Sequence, residues 1–127
     1  MIAVDTSALM AVVLNEDHAA ACSAALTSDP NRLISAVTLA EALVVANGKN
    51  VLPHMTVFLD FLRCEVVAVS AETAMRVSQI YQIWGKGRHP ARLNFGDCFA
   101  YDTAKTHGCP LLFVGEDFRR TDIVSAL

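Results

Sequence analysis

M-I-A-V-D-T-S-A-L-M-A-V-V-L, Met1 to Leu14, carries the main clue to the architecture. Ile2 to Val4 is an apolar run that begins at once and stops at Asp5. So short a run, bounded by a polar residue, suits a strand buried on both faces. Asp5, Thr6 and Ser7 are capping residue types, and Ala8 to Leu14 is rich in helix formers, so a helix follows the strand almost without a loop.

The same alternation continues outward from this unit. Asp17 to Leu26 is predicted helical, and Ser28-Asp29-Pro30-Asn31 is a turn. Arg32 to Ser35 reads as a brief strand, followed by a helix through V-T-L-A-E-A-L-V-V-A-N, Val37 to Asn47, which Gly48 ends. Val51 to Leu62 is helical with Pro53 in its first turn, where the missing N–H is harmless. Glu65 to Val69 is a β-branched strand, and Ser70 caps a helix from Ala71 to about Trp84. A polar linker, Gly85 to Pro90, precedes a helix from Asn94 to His107. Leu111 to Val114 is a buried strand, Gly115 to Phe118 a sharp turn, and Thr121 to Val124 a short edge strand. Short apolar strands alternating with helices predict an α/β class, a three-layer α/β/α domain with a mainly parallel central sheet. The 127 residues suffice for one domain, residues 1–127, with a core of its own.

Composition narrows the class. The chain is 54% hydrophobic and 18% charged, with mean hydropathy +0.39, against about 25% charged for an ordinary soluble domain. A sheet covered on both faces accounts for that, as does an apolar surface hidden in a dimer or under a partner. The net charge of −3 does not advertise a nucleic-acid binder, although local patches matter more than totals. Cys22, Cys64, Cys98 and Cys109 show no metal-ligand spacing and read as reduced thiols. There is no apolar leader before Asp5 and no run of about 18 apolar residues. A cytoplasmic protein without a membrane span is expected.

In a parallel α/β sheet the site lies at the carboxyl ends of the strands. Asp5 ends the first strand, Asp117 comes after the last buried one, Asp97 sits in the first turn of the helix before it, and Glu41 lies a turn into the helix after the second strand. All four can project toward one sheet edge. Each also has an ordinary reading: Asp5 as a helix cap, Glu41 as the partner of an arginine, Asp97 as a complement to the helix dipole, Asp117 as an Asx turn. Gathered together, they repel unless a cation sits among them. An oxygen-only set favours Mg²⁺ or Mn²⁺, and such sites serve phosphate chemistry.

Asp5-Thr6-Ser7 after an opening strand, Glu41 in T-L-A-E, Asp97 in L-N-F-G-D-C-F-A-Y and Asp117 in L-L-F-V-G-E-D-F resemble, in order and spacing, the PIN-domain ribonucleases, and more narrowly the VapC-type toxins of type II toxin–antitoxin pairs. The resemblance spans essentially the whole chain. It implies a catalytic and metal-binding set of Asp5, Glu41, Asp97 and Asp117, with Mg²⁺ or Mn²⁺ bound chiefly by Asp5 and Asp97. It implies hydrolysis of RNA phosphodiesters by metal-activated water, leaving 5′-phosphate and 3′-hydroxyl ends, together with a homodimer and a small VapB-type antitoxin. Related proteins often carry Thr or Ser two residues before the last acid. Here Gly115 stands there, so a hydroxyl contact to RNA at that place is either lost or supplied by Thr6 or Ser7.

Cations flank the expected site. Lys86, Arg88, His89 and Arg92 precede Asp97, and Arg119 and Arg120 come after Asp117. They are candidate phosphate contacts, or simply solvated charges. Glu116 is read as a solvated charge, Asp122 as a weak fifth acid, and Tyr101 as a packing residue. Asp102, about 140° around the helix from Asp97, is left out of the site. Val51, Leu52, Met55, Phe58, Leu59 and Leu62 form an apolar surface, assigned equally to the core and to a dimer or antitoxin contact. A carboxylate pocket also attracts a guanidinium, so an antitoxin arginine could block it. A haloacid-dehalogenase-type phosphatase would need an acid where Ser7 stands, and a receiver domain an acid beside Asp5. A non-catalytic binding module on the same fold is the more serious alternative.

Overall fold

The computed structural model describes all residues, Met1–Leu127. Its strands are β1 (Ile2–Val4), β2 (Arg32–Ser35), β3 (Glu65–Val67) and β4 (Leu111–Leu112). They form one sheet in the order β3-β2-β1-β4, every pairing parallel. The helices are α1 (Thr6–Val13), α2 (Ala19–Ser28), α3 (Ala36–Gly48), α4 (Leu52–Leu62), α5 (Ala71–Trp84) and α6 (Phe95–His107), with a 3₁₀ turn at Phe118–Arg120.

Strand periodicity divides the core in two. Ile2, Val4, Ile34 and Leu112 point to one face and pack with Leu9, Leu26, Met55 and Leu62 from α1, α2 and α4. Ala3, Leu111 and Phe113 point to the other face and meet Val77, Ile80, Phe99 and Ala104 of α5 and α6. Helices on both faces of a parallel sheet make the three-layer α/β/α arrangement, and they account for the continuously apolar strands. No helix is long and apolar enough to cross a membrane.

Several sequence expectations change: β3 ends at Val67 rather than Val69, and β4 at Leu112 rather than Val114. No edge strand forms over Thr121 to Val124. The chain passes through the 3₁₀ turn and meets β4 at a single parallel bridge, Leu111 with Ser125. Meanwhile Thr121 closes a local turn, its hydroxyl accepting from the Ile123 N–H at 3.2 Å. Helix α1 begins at Thr6 rather than Ala8, because the Asp5 carboxylate accepts from the Ser7 N–H and caps it. The apolar stripe over residues 51–62 is mainly core: Met55 and Leu62 are buried, and Val51, Leu52, Phe58 and Leu59 pack against the core. The apolar side chains that α4 leaves in solvent are Val57 and Phe61 instead, 70% and 68% exposed.

Candidate active site

Sheet order places the site. β1 lies between β2 and β4, so the carboxyl ends of β1 and β4 are neighbours, and the residues just beyond each strand face a common crevice. There Asp5, Ser7, Asp97, Val114, Gly115, Glu116, Asp117 and Phe118 line a depression of about 290 Å³. Three of the four expected acids, from three separate segments, thus meet in one hollow.

Asp5 is buried at 5% exposure. Its Oδ2 accepts from the Ser7 N–H at 3.0 Å and the Ser7 hydroxyl at 2.6 Å. Burial pushes its pKa up and nearby Glu41 adds to that, while the Ser7 bonds pull it back. Ser7 Oγ in turn accepts from the Val114 N–H at 3.0 Å. One hydroxyl therefore ties β1 to the segment leaving β4 and orients Asp5.

Asp97 belongs to the first turn of α6. Asn94 Oδ1 accepts from the Asp97 N–H at 2.8 Å, and Asp97 Oδ2 accepts from the Asn94 N–H at 2.9 Å. This reciprocal capping box fixes both the helix start and the carboxylate. Burial, then the charges of Asp5, Asp117 and Glu41, raise the Asp97 pKa to about 7, against the opposing Asn94 bond. The four acids are thus electrostatically one cluster. Asp117 stands exposed at the mouth.

Glu41 lies beside the hollow. The Thr6 hydroxyl donates to its Oε1 at 2.6 Å, and its Oε2 lies over Gly96, where a Cβ would come within 2.6 Å. It makes no ion pair, so the arginine-partner reading is not realised. Thr6 and Ser7, expected at an RNA phosphate, instead have their hydroxyls bound to Glu41 and Asp5. Buried acids without a cationic partner need such donors.

The donor set is all oxygen, and the Asp97 pKa is raised by burial first and by the charges of Asp5, Asp117 and Glu41 after it. Both fit a hard divalent cation. No three Asp, Glu, His or Cys side chains are drawn together tightly enough to hold a metal ion as they stand.

The neighbouring residues sort clearly. Lys86, Arg88, His89 and Arg92 line a separate polar hollow of about 490 Å³. Arg119 lies 4.0 Å from Glu116 and over the Phe113 ring, beside the depression that Glu116 lines. Arg120 donates instead to the Pro90 carbonyl at 3.2 Å. Asp122 is taken by Tyr101 and Lys105 and is no fifth acid of the hollow. Asp102 is buried in an ion pair with Arg76 at 2.7 Å. Two roles escape the sequence reading, which has Thr6 only as an RNA contact. Thr6 holds Glu41 across 35 residues with no motif to mark it. Asn94 positions Asp97, and here the N-x-x-D spacing of a capping box is a usable signal.

The PIN domain family model matches residues 2–124. The chain belongs to the PIN-domain family. Within it, the chain is 41% identical over 125 residues to Ribonuclease VapC30 of Mycobacterium tuberculosis, covering 96% of this chain and 95% of that one. It is 39% identical over 125 residues to Ribonuclease VapC of Mycolicibacterium smegmatis, covering 96% and 97%. This PIN domain therefore groups with the VapC ribonucleases. Among solved structures, Mycobacterium tuberculosis VapC20, described as a sarcin-ricin loop cleaving toxin, superposes with TM-score 0.78 at 18% identity, covering 98% of this chain and 97% of that one. A toxin–antitoxin complex from Klebsiella pneumoniae gives 0.75 at 20%, covering 100% and 98%. These two likenesses concern the fold.

Proposed function

We propose that this PIN domain, a single unit over residues 1–127, is a divalent-metal-dependent endoribonuclease toxin, active in the cytoplasm and neutralised by a VapB-type antitoxin. The observation that carries the reading is the convergence of Asp5, Asp97 and Asp117 in one depression, with Glu41 held beside it by Thr6. Asp5, Asp97 and Asp117 would hold Mg²⁺ or Mn²⁺, and Glu41 would complete the acidic set. The ion, when bound, lowers the pKa of water and offsets charge on the phosphate.

The chain's own groups do the rest. Ser7 and Asn94 fix the carboxylates of Asp5 and Asp97. Thr6 keeps Glu41 aimed past Gly96. Lys86, Arg88 and Arg92 on one side and Arg119 on the other bind RNA phosphates, a sequence-independent contact that sets register. Free thiols throughout accord with a reducing cytoplasm. Exposed Val44, Val57 and Phe61 supply apolar surface for a second copy or the antitoxin. An antitoxin arginine entering the carboxylates would compete with the ion, so raising Mg²⁺ or Mn²⁺ should weaken inhibition.

The open spacing of the acids is what favours the second reading, a non-catalytic RNA- or protein-binding module. End mapping of RNA cut by the purified protein tests the first. Metal-dependent cuts bearing 5′-phosphates support it. Cyclic-phosphate ends contradict attack by water, and uncut RNA bound by the folded protein favours the module.

A further inference from the structure

The cationic loop between α5 and α6 is hydrogen-bonded within itself and tied at two points to the segment behind Asp117. It is closed by the Gly85–Leu93 bridge, with Lys86 N–H donating to Leu93 O at 2.9 Å and Leu93 N–H to Trp84 O at 3.0 Å. Within it, the Arg88 and His89 N–H groups both donate to Gly85 O, and the Ala91 N–H donates to His89 Nδ1 at 2.9 Å. The His89 ring stands edge-on to Trp84, 4.7 Å between centroids. Arg92 is held at φ 55°, a left-handed conformation that an arginine adopts only under constraint.

From this loop a chain of side chains runs down to the C-terminal segment. Trp84 Nε1 donates to Tyr101 Oη at 3.1 Å, and the Tyr101 hydroxyl donates to Asp122 Oδ1 at 2.5 Å. Lys105 holds the other Asp122 oxygen at 2.8 Å. The second tie is Arg120, whose guanidinium donates to Pro90 O at the loop's tip. Residues 118–122 come directly after Asp117, so the cations of the loop and the mouth of the carboxylate depression are fastened to one another.

We propose that Tyr101 and Asp122 are positioning residues: they hold the cationic loop in fixed register with the carboxylates, so that the protein selects RNA strands long enough to reach both. This rests on the ribonuclease reading for its ligand class. Neither residue touches RNA. The loop supplies the phosphate contacts, and the clasp sets their distance from the site of cleavage. A dinucleotide seated in the carboxylate depression, whose lining shares no residue with the hollow of the loop, is indifferent to the clasp.

The test is RNA binding without metal, by fluorescence anisotropy, for a long single-stranded RNA and a dinucleotide. The variants are Tyr101→Phe, Asp122→Ala and Asp122→Asn, with amide exchange of residues 86–92 measured in parallel. Asp122→Ala removes a negative charge, so electrostatics alone predicts tighter RNA binding. The clasp predicts the opposite: about five- to tenfold weaker binding of the long RNA, roughly the worth of a single phosphate pairing, with faster exchange across the loop. Tyr101→Phe, which is neutral in charge, behaves the same way. Asp122→Asn keeps an oxygen for the Tyr101 hydroxyl but loses the charge and the Lys105 pairing, so it keeps wild-type loop exchange and binds the long RNA at least as tightly as the wild type. With metal present, dinucleotide cleavage is unchanged in all three.

Unchanged or tighter binding by Asp122→Ala, or unaltered loop exchange, overturns the clasp. So does an equal loss on both RNAs. Failure of the wild type to cleave any RNA with metal would strike the nuclease reading separately, since binding and exchange read the clasp directly.

Discussion

At Glu41, a carboxylate in a helix made mostly of alanine, leucine and valine, the Thr6 hydroxyl and the bare backbone of Gly96 leave room for a charge with no basic partner. Two substitutions probe that arrangement. In Gly96→Ala the new methyl meets Glu41 Oε2 and pushes it off Thr6. Alanine favours the helix by up to about 1 kcal/mol, which offsets part of the lost Thr6 bond, so melting temperature should change by only a few degrees while RNA cleavage falls about ten- to a hundredfold. An unaltered rate would show that Glu41's position does not matter. Glu41→Gln can still accept from Thr6, so it should fold and match the wild-type melting temperature, with cleavage lower by about a hundredfold. If it unfolds, Glu41 is a structural residue. The charge itself is legible in the sequence as an anomaly. Its holder is not, because a hydroxyl donor 35 residues away leaves no pattern.

Among the elements, α6 supplies Asp97 to the depression. Its start is fixed by the Asn94–Asp97 capping box, so helix stability and carboxylate orientation are one feature. Asn94→Ala should cost about 1 kcal/mol and lower the melting temperature by a few degrees. It should also weaken Mn²⁺ binding, measured calorimetrically, whereas a cap with no role in orientation would leave metal affinity alone. Elements with strong local signals are legible to the residue: β2 ends at Ser35, which caps α3, and α5 begins after its Ser70 cap. The expected strand over residues 121–124 does not form: Thr121 closes a local turn and the chain meets β4 only at Ser125, and β-branched composition gives no sign of that turn or of the Tyr101 and Lys105 contacts that bind Asp122. Those contacts span 21 and 17 residues, and periodicity cannot register them.

The whole molecule is a scaffold that gathers negative charge at one edge of a parallel sheet, and its stability should carry that signature. Asp97 titrates near 7 in the fold against 3.8 ordinarily, chiefly through burial. The native state thus holds a proton that the unfolded chain has lost, so this contribution is fully present below about pH 4 and disappears as pH rises through 7. Asp5, also raised, adds in the same sense. Asp29 and Asp122, both lowered, act oppositely and only below that window. Metal-free melting temperature should therefore fall from about pH 4 to 7, flatten in Asp97→Asn, and recover with Mg²⁺. A flat wild-type profile would mean that burial in the fold does not hold the Asp97 carboxyl above its ordinary range. The parallel sheet and the arrival of Asp5, Asp97 and Asp117 at one edge can be anticipated from strand–helix alternation, whereas the strand order β3-β2-β1-β4 cannot. The open spacing of the acids cannot, because it depends on side-chain conformation. The most direct measurement is cleavage of end-labelled total RNA with Mg²⁺ or Mn²⁺ by the wild type and by Asp5→Asn, which keeps a capping side chain for α1. The account predicts discrete metal-dependent cuts with 5′-phosphate ends, lost at least about a thousandfold in the variant, some 4 kcal/mol of barrier. Equal cutting by both proteins, or none by a folded, metal-binding wild type, would contradict it.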